Sequence, residues 1–471
     1  MAQTHPTFIV EIPQHRSAER EYALSVLLAD WLHLSYCVRV DPELRETRLR
    51  LASGLSNVVV AIPDILLAPN TAWLSPESLP PESPPVVDLP EWTGHAGRLP
   101  LLFATPDEPA GLTRGDDGRL ALGWDLLGAL LFMLARYEEY VKSAESDIHD
   151  RFPSSATSLV MSGWHQHPVC DMYLHVFAAI ARQAWPGLEL EPDPYQGLQI
   201  GHDVDHPSSS MLWHGAGRIR ILAGDVIVRR DPLLAIRRAS AFLPWAAPLA
   251  PHDPFNTFDF LMTASERAGV ASTFFFITDD TATPAGSTFR VCDPWAARLI
   301  SEISRRGHFL ALHGSYNSNG RADQLAREWD LLADACHAIP PDRLRRAIRQ
   351  HYLRWTPGET WRAQAEAGLL EDETLAFADT IGFRAGTARS YPAFDLLRGE
   401  TLSLRVKPLH VMDIALARAA ASPDEADAHA VEMERLTRAY GGTFSILWHN
   451  SRLETPRARQ RYSRLLAALR G

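Results

Sequence analysis

From Leu198 onward the chain repeats one pattern: a short apolar run that ends in His, Arg or Asp, followed by residues at helical spacing. Leu198-Gln199-Ile200 leads into Gly201-His202-Asp203-Val204-Asp205-His206, and Phe309-Leu310-Ala311-Leu312 leads into His313. Residues 271–278 form another β-rich apolar run, and 349–353, 377–386, 409–413 and 443–449 read the same way. Helices are predicted at 258–268, 295–306 and 321–338, with Gly307 as a stop signal for the second. Strands alternating with helices imply parallel pairing, because a crossover long enough to hold a helix returns the chain in its original direction. The expected fold is α/β, with a distorted (β/α) barrel of about seven parallel strands. Such folds gather their chemistry at the carboxyl ends of the strands, which is where these polar residues fall.

The residues before this region lack a dense catalytic pattern. A strand is expected at 57–63, a proline-rich loop at 74–90, and helices at 124–141 and 171–183. In the first of these helices Leu127, Leu130, Leu131, Leu134 and Tyr137 fall on one stripe, and a polar loop should follow it to Ser155. Glu191-Pro192-Asp193-Pro194 breaks regular structure and marks a linker. A chain of 471 residues exceeds one ordinary core. Residues 1–194 are therefore expected as a smaller α/β domain of unassigned role, and 195–471 as the barrel domain.

Composition narrows the function classes. An apolar fraction of 46% with 22% charged residues fits a soluble globular protein. The net charge of -11 argues against a nucleic-acid groove, or an anionic membrane surface, as the main partner. The longest apolar run, 126–135, is about half a membrane span, so none is expected. The first residues lack the charged head and apolar core of a secretory signal, which makes a cytoplasmic location the expectation. Cys37, Cys170, Cys292 and Cys336 are scattered without a CxxC pair, against a cysteine metal site or a disulfide framework.

Asp203 and Asp205 are two apart and would share a face on a continuing strand, one to bind a metal and one to handle a proton. The bland alternative is a polar turn before Pro207; imidazoles on both sides favour chemistry. His313 falls at a strand end, whereas His308 falls near a strand start and reads as structural. Arg349 and His351 share a strand-like segment, where a satisfied core histidine competes with a ligand. Arg384, between Phe383 and Gly386, is placed to orient a carboxylate. His449 ends the last run. Any one such histidine is more often structural; their shared placement points to a metal-dependent hydrolase.

Together these pieces resemble the polysaccharide deacetylase family, whose catalytic region is the NodB homology domain. The likeness covers about the last 275 residues. Gly201-His202-Asp203-Val204-Asp205 is similar to the family's Asp-Asp motif, split here by Val204. Gly307-His308 with His313, Phe383-Arg384, and Leu447-Trp448-His449 resemble its later motifs, in the same order. Asn317 stands where the family has a second metal histidine, and His351 from the next strand is the expected replacement. The resemblance implies removal of N-acetyl groups from amino sugars of a polysaccharide or oligosaccharide, with a divalent metal, expected to be zinc. It makes Asp203 the base, Asp205, His313 and His351 the metal ligands, His449 the proton donor and Arg384 the residue that orients Asp203. A precursor of an exported polysaccharide would reconcile this substrate with a cytoplasmic location. Two rivals stand beside it: an Asp-x-Asp phosphoesterase using magnesium, and a carbohydrate-binding barrel without metal. The first is disfavoured by His206-Pro207, where such enzymes prefer Thr or Val after the second Asp.

Overall fold

The structure, a computed structural model, describes residues 7–471 apart from 55, 89–96, 106–111, 116–118, 189, 244–247 and 279–288. The chain divides into two units. One comprises Met1–Gly197, Gly382–Pro408 and Arg435–Thr443; the other comprises Leu198–Ile381, Leu409–Glu434 and Phe444–Gly471.

The apolar runs of the second unit form β1 (Tyr195–Val204), β2 (Thr273–Phe276), β3 (Phe309–Gly314), β4 (Leu344–Gln350), β5 (Glu371–Asp372), β6 (Val411–Met412) and β7 (Gly442–Leu447). They belong to a curled, mostly parallel sheet of nine strands, in which these seven follow the order β5-β4-β3-β2-β1-β7-β6. Pairing is parallel from β1 through β5 and again between β6 and β7. Phe275, Ala311 and Ala347 form one buried cluster across β2, β3 and β4. Strands covered on both faces read as continuous apolar runs, as Thr273–Phe276 does with every residue buried.

The order departs from the expected barrel in an instructive way. The first strand, β1, lies beside the last, β7, as closure requires, yet β5 and β6 do not pair and the ring stays open. The expected strand at 377–386 would fall between them in the chain, and no strand forms there. Its backbone groups are used elsewhere: Phe383 N–H donates to the His165 carbonyl at 2.7 Å, and Gly386 carbonyl accepts from Cys170 N–H at 2.7 Å. A shorter strand, Glu371–Asp372, pairs with Ala347 and Ile348 instead.

The first unit carries a six-stranded mixed sheet, with Phe8–Ile12 parallel to Tyr36–Val40 and antiparallel to Glu46–Leu51. Helices Ser17–Leu24, Leu126–Leu134 and Val169–Ala184 supply its apolar layers. Asp125 caps the second helix, accepting from Gly128 N–H at 2.7 Å and from the Ile65 and Leu66 N–H groups at 2.8 and 2.9 Å. The single helix expected over 124–141 is broken, because Arg136 adopts φ 56° and a second helix restarts at Tyr137–Val141. The later segments are bound into this unit by specific contacts. Tyr22 Oη donates to the Pro392 carbonyl at 2.9 Å, Arg405 pairs with Asp30, and Arg389 donates to the Tyr440 carbonyl. Gly386 (φ 68°) sits so close to Met133 that an added Cβ would lie 2.6 Å from its Sδ. The four cysteines are free. Among the described residues no helix is long and apolar enough to cross a membrane.

Candidate metal centre

Parallel strands put all their carboxyl ends at one end of a sheet, and the second unit uses this fully. Asp203 is the penultimate residue of β1, opposite Phe275, and Asp205 is the first residue beyond it. His313 lies on β3 opposite Arg349 of β4; His351 directly follows β4, and His449 follows β7. After His351 the chain turns sharply through Tyr352 (φ 64°) and Leu353 (φ 54°), a left-handed pair that bulky residues rarely adopt.

Asp205 is the hub of the cluster. Its Oδ1 lies 3.1 Å from Nε2 of His313, and its Oδ2 lies 3.8 Å from Nε2 of His351 and 3.6 Å from Nε2 of His449. Oδ2 of Asp203 approaches Nε2 of His313 to 3.6 Å. Asp205, His313 and His351 each present one ligand atom, and these three atoms lie within 4.8 Å of one another.

The donor set fits a divalent cation. His313 Nδ1 lies 2.6 Å from the Arg349 carbonyl, which can only accept, so Nδ1 holds the proton and Nε2 turns toward the carboxylates. Nε2 and Asp205 Oδ1, facing each other at 3.1 Å, need positive charge between them, either a proton or a metal ion. Asp205 Oδ1 and His351 Nδ1 are buried without a hydrogen-bond partner among the described residues. Imidazole and carboxylate are donors that first-row divalent ions accept, and three protein ligands leave further positions open.

Two flanking residues are held from behind. Arg349 Nη1 donates to Asp203 Oδ1 at 2.7 Å, while its Nε and Nη2 hold the Glu373 carbonyl and Oε2 at 3.1 and 3.3 Å. The guanidinium lies 4.0 Å from the centroid of the Phe275 ring. Gly201 makes room for it: a Cβ there would fall 2.6 and 2.7 Å from the two Nη atoms. His449 Nδ1 lies 2.9 Å from Asp413 Oδ1, and His449 N–H donates to Asp413 Oδ2 at 2.7 Å. His449 Nε2 is thereby aimed at Asp205.

The electrostatics follow this arrangement. Burial pushes the Asp205 carboxyl up, but the imidazoles of His351, His313 and His449 outweigh it and hold the group well below the usual carboxylate range. Burial lowers His313, which Asp203 and Asp205 more than offset, so its value is raised. For His449 burial is overcome by Asp413 and Asp205, bringing it to about 9. His351 is lowered to about 4 by burial, which Asp205 only partly counters.

Asp205, His313 and His351 thus meet as a set, with Asp203 and His449 beside them. Arg384 does not join them. It lies in the first unit, where Nε and Nη2 donate to the Glu139 carboxylate at 2.9 and 2.6 Å; the guanidinium on Asp203 is that of Arg349. Asn317 is exposed, and His308 sits at the opposite end of β3 with Nδ1 3.1 Å from the Ser272 N–H. The sequence reading assigned no role to Arg349, Asp413 or Glu373. Asp413 carried a usable signal, since it ends an apolar run as His449 does.

Residues 8–186 match the model of a family described as a family of unknown function, DUF7033. No curated protein matches the chain. A solved structure described as a "putative polysaccharide deacetylase from Mycobacterium smegmatis" is similar over 61% of this chain and 86% of its own. The sequence identity is 16% and the TM-score 0.37.

Proposed function

We propose that the second unit is a metal-dependent hydrolase that removes N-acetyl groups from amino sugars of a polysaccharide or its precursor. The observation that carries this reading is the meeting of Asp205, His313 and His351 between an arginine-held Asp203 and an aspartate-held His449. The substrate class rests on the resemblance of the motifs around these residues. Asp205, His313 and His351 would hold a divalent ion, zinc being suited to the donors, and that ion would supply Lewis acidity that polarises an acyl oxygen and lowers the pKa of water from about 15.7 towards ~7. Asp203 acts as the base, taking a proton from the attacking water on Oδ2 while Arg349 fixes Oδ1. His449 gives the Nε2 proton to the departing amine, whose nitrogen is too basic to leave unprotonated, and Asp413 stabilises the imidazolium.

Acetate release from chitin-like oligomers, with elemental analysis of protein purified without chelator, tests the reading. Stoichiometric metal with acetate release is expected. Phosphate release from an aryl phosphate without any acetate would replace it with an Asp-x-Asp phosphoesterase. Protein without bound metal that retains oligosaccharide binding would make the unit a binding domain.

A further inference from the structure

Between β1 and the helix Phe258–Arg267 the chain inserts a helical hairpin, Ala216–Ile227 and Pro232–Ala241, whose apolar side faces outward. On the first helix Ala216, Ile219, Ala223, Val226 and Ile227 recur at helical spacing and are all exposed, while the opposite side buries Asp225. Leu233 and Ile236 continue this on the second helix, and Val228 lies in the turn between. Ile219, Ile227, Val228, Leu233 and Ile236 are between 65% and 79% exposed. Scattered single apolar residues on a surface need no explanation, but a concentration like this one does.

The hairpin is ordered by polar contacts of its own. Arg238 joins buried Asp225 at 2.8 Å to Glu454 at 2.9 Å, and Asp253 accepts from Ser208 Oγ and the Ser209 N–H. Its root lies beside the metal centre. Asn450, next to His449, donates to the carbonyls of His206 and Phe255, on either side of the insertion.

We propose that this outward face is a docking surface for an anionic lipid bilayer. Charge selects this occupant. Residues 209–243 contain six arginines (218, 220, 229, 230, 237 and 238) against two aspartates (225 and 231), a net of +4 on a chain whose total is -11. Asp225 is buried in ion pairs and Asp231 caps the second helix, so the exposed charge is basic. Arg220 and Arg230 are exposed and have no carboxylate partner among the described residues. Outward apolar side chains flanked by arginines are the chemistry of an interfacial helix on anionic lipid, with residues such as Ile219 entering the acyl boundary and the guanidinium groups meeting phosphates. The acidic balance of the whole chain conceals this local reversal.

Sedimentation of the full chain with vesicles tests the proposal, comparing pure phosphatidylcholine with an equimolar mixture of phosphatidylcholine and phosphatidylglycerol. The protein should pellet with the mixed vesicles, much less with the neutral ones, and less as salt is raised. The double variants Ile219→Ser with Ile236→Ser, and Arg220→Glu with Arg230→Glu, alter exposed side chains and should each weaken partitioning at least about tenfold. Both should keep the wild-type urea midpoint, and pelleting is compared only for variants that do. Absence of pelleting with mixed vesicles, equal pelleting with neutral ones, or wild-type binding by both variants overturns the proposal. A stable dimer that Ile219→Ser with Ile236→Ser dissociates, without vesicle binding by the wild type, assigns the face to a second copy instead.

Discussion

Asp203 and Asp205 look alike in the sequence and part company in their partners: a guanidinium reaches the first, and three imidazoles surround the second. Asp203→Asn keeps an acceptor for Arg349 but cannot take a proton. Turnover should fall by about 10²- to 10⁴-fold with metal content unchanged; loss of metal in that variant would exchange the roles of the two aspartates. Gly201→Ala should act through Arg349, since the new methyl occupies the space of the guanidinium. A loss of about 1–3 kcal/mol in urea unfolding is expected, together with reduced turnover. Unchanged values for both would mean that Arg349 moves aside freely. Asp205 and His313 were readable because each follows an apolar strand-like run, and His351 because the next strand could replace the ligand missing at Asn317. Arg349 as the partner of Asp203 was not, because the two are 146 residues apart and spacing says nothing about such a pair.

Elements were legible where local pattern decides and failed where other parts of the chain overrule it. Thr273–Phe276 and Phe309–Gly314 lie within or at most one residue beyond the expected strand runs, since buried parallel strands announce themselves as apolar runs. The helix expected over 124–141 has an unbroken apolar stripe, yet it stops where Arg136 turns left-handed and donates to the Met133 carbonyl and to Glu139. Glu139 serves Arg136 and Arg384 together and is almost fully buried. Glu139→Gln removes the charge that compensates two buried guanidiniums. It should cost the first unit about 3–5 kcal/mol, measured by chemical unfolding, a size typical of breaking a buried pair. A cost below about 1 kcal/mol would place that network in water, as for a surface salt bridge.

At the scale of the molecule, acid and metal should act on stability in opposite senses. His202 is fully buried and burial lowers it to about 4, with the Trp448 carbonyl 3.0 Å from Nδ1 as a partial offset. Because the folded value lies below the unfolded one of 6.5, the unfolded chain gains a proton first as pH falls. Its contribution is complete above about pH 6.5 and lost on the way to about pH 4, roughly 3 kcal/mol in all. His202→Asn should flatten the slope of urea stability over that interval; an unchanged slope would assign the acid sensitivity elsewhere. Zinc added to metal-stripped protein at about 100 times its dissociation constant should stabilise by about 2.7 kcal/mol, seen as a rise of several degrees in the melting temperature. His313→Ala should lose that rise, and an equal rise in the variant would move the ion to another place. The first unit also sets a schedule for synthesis. Tyr22, Asp30 and His175 find partners in Pro392, Arg405 and Tyr440, which leave the ribosome hundreds of residues later. Tyr22, Asp30 and His175, although made earlier, must wait with those contacts open until Tyr440 has emerged, so a chain terminated before Pro392 would be a substrate for chaperones and proteases.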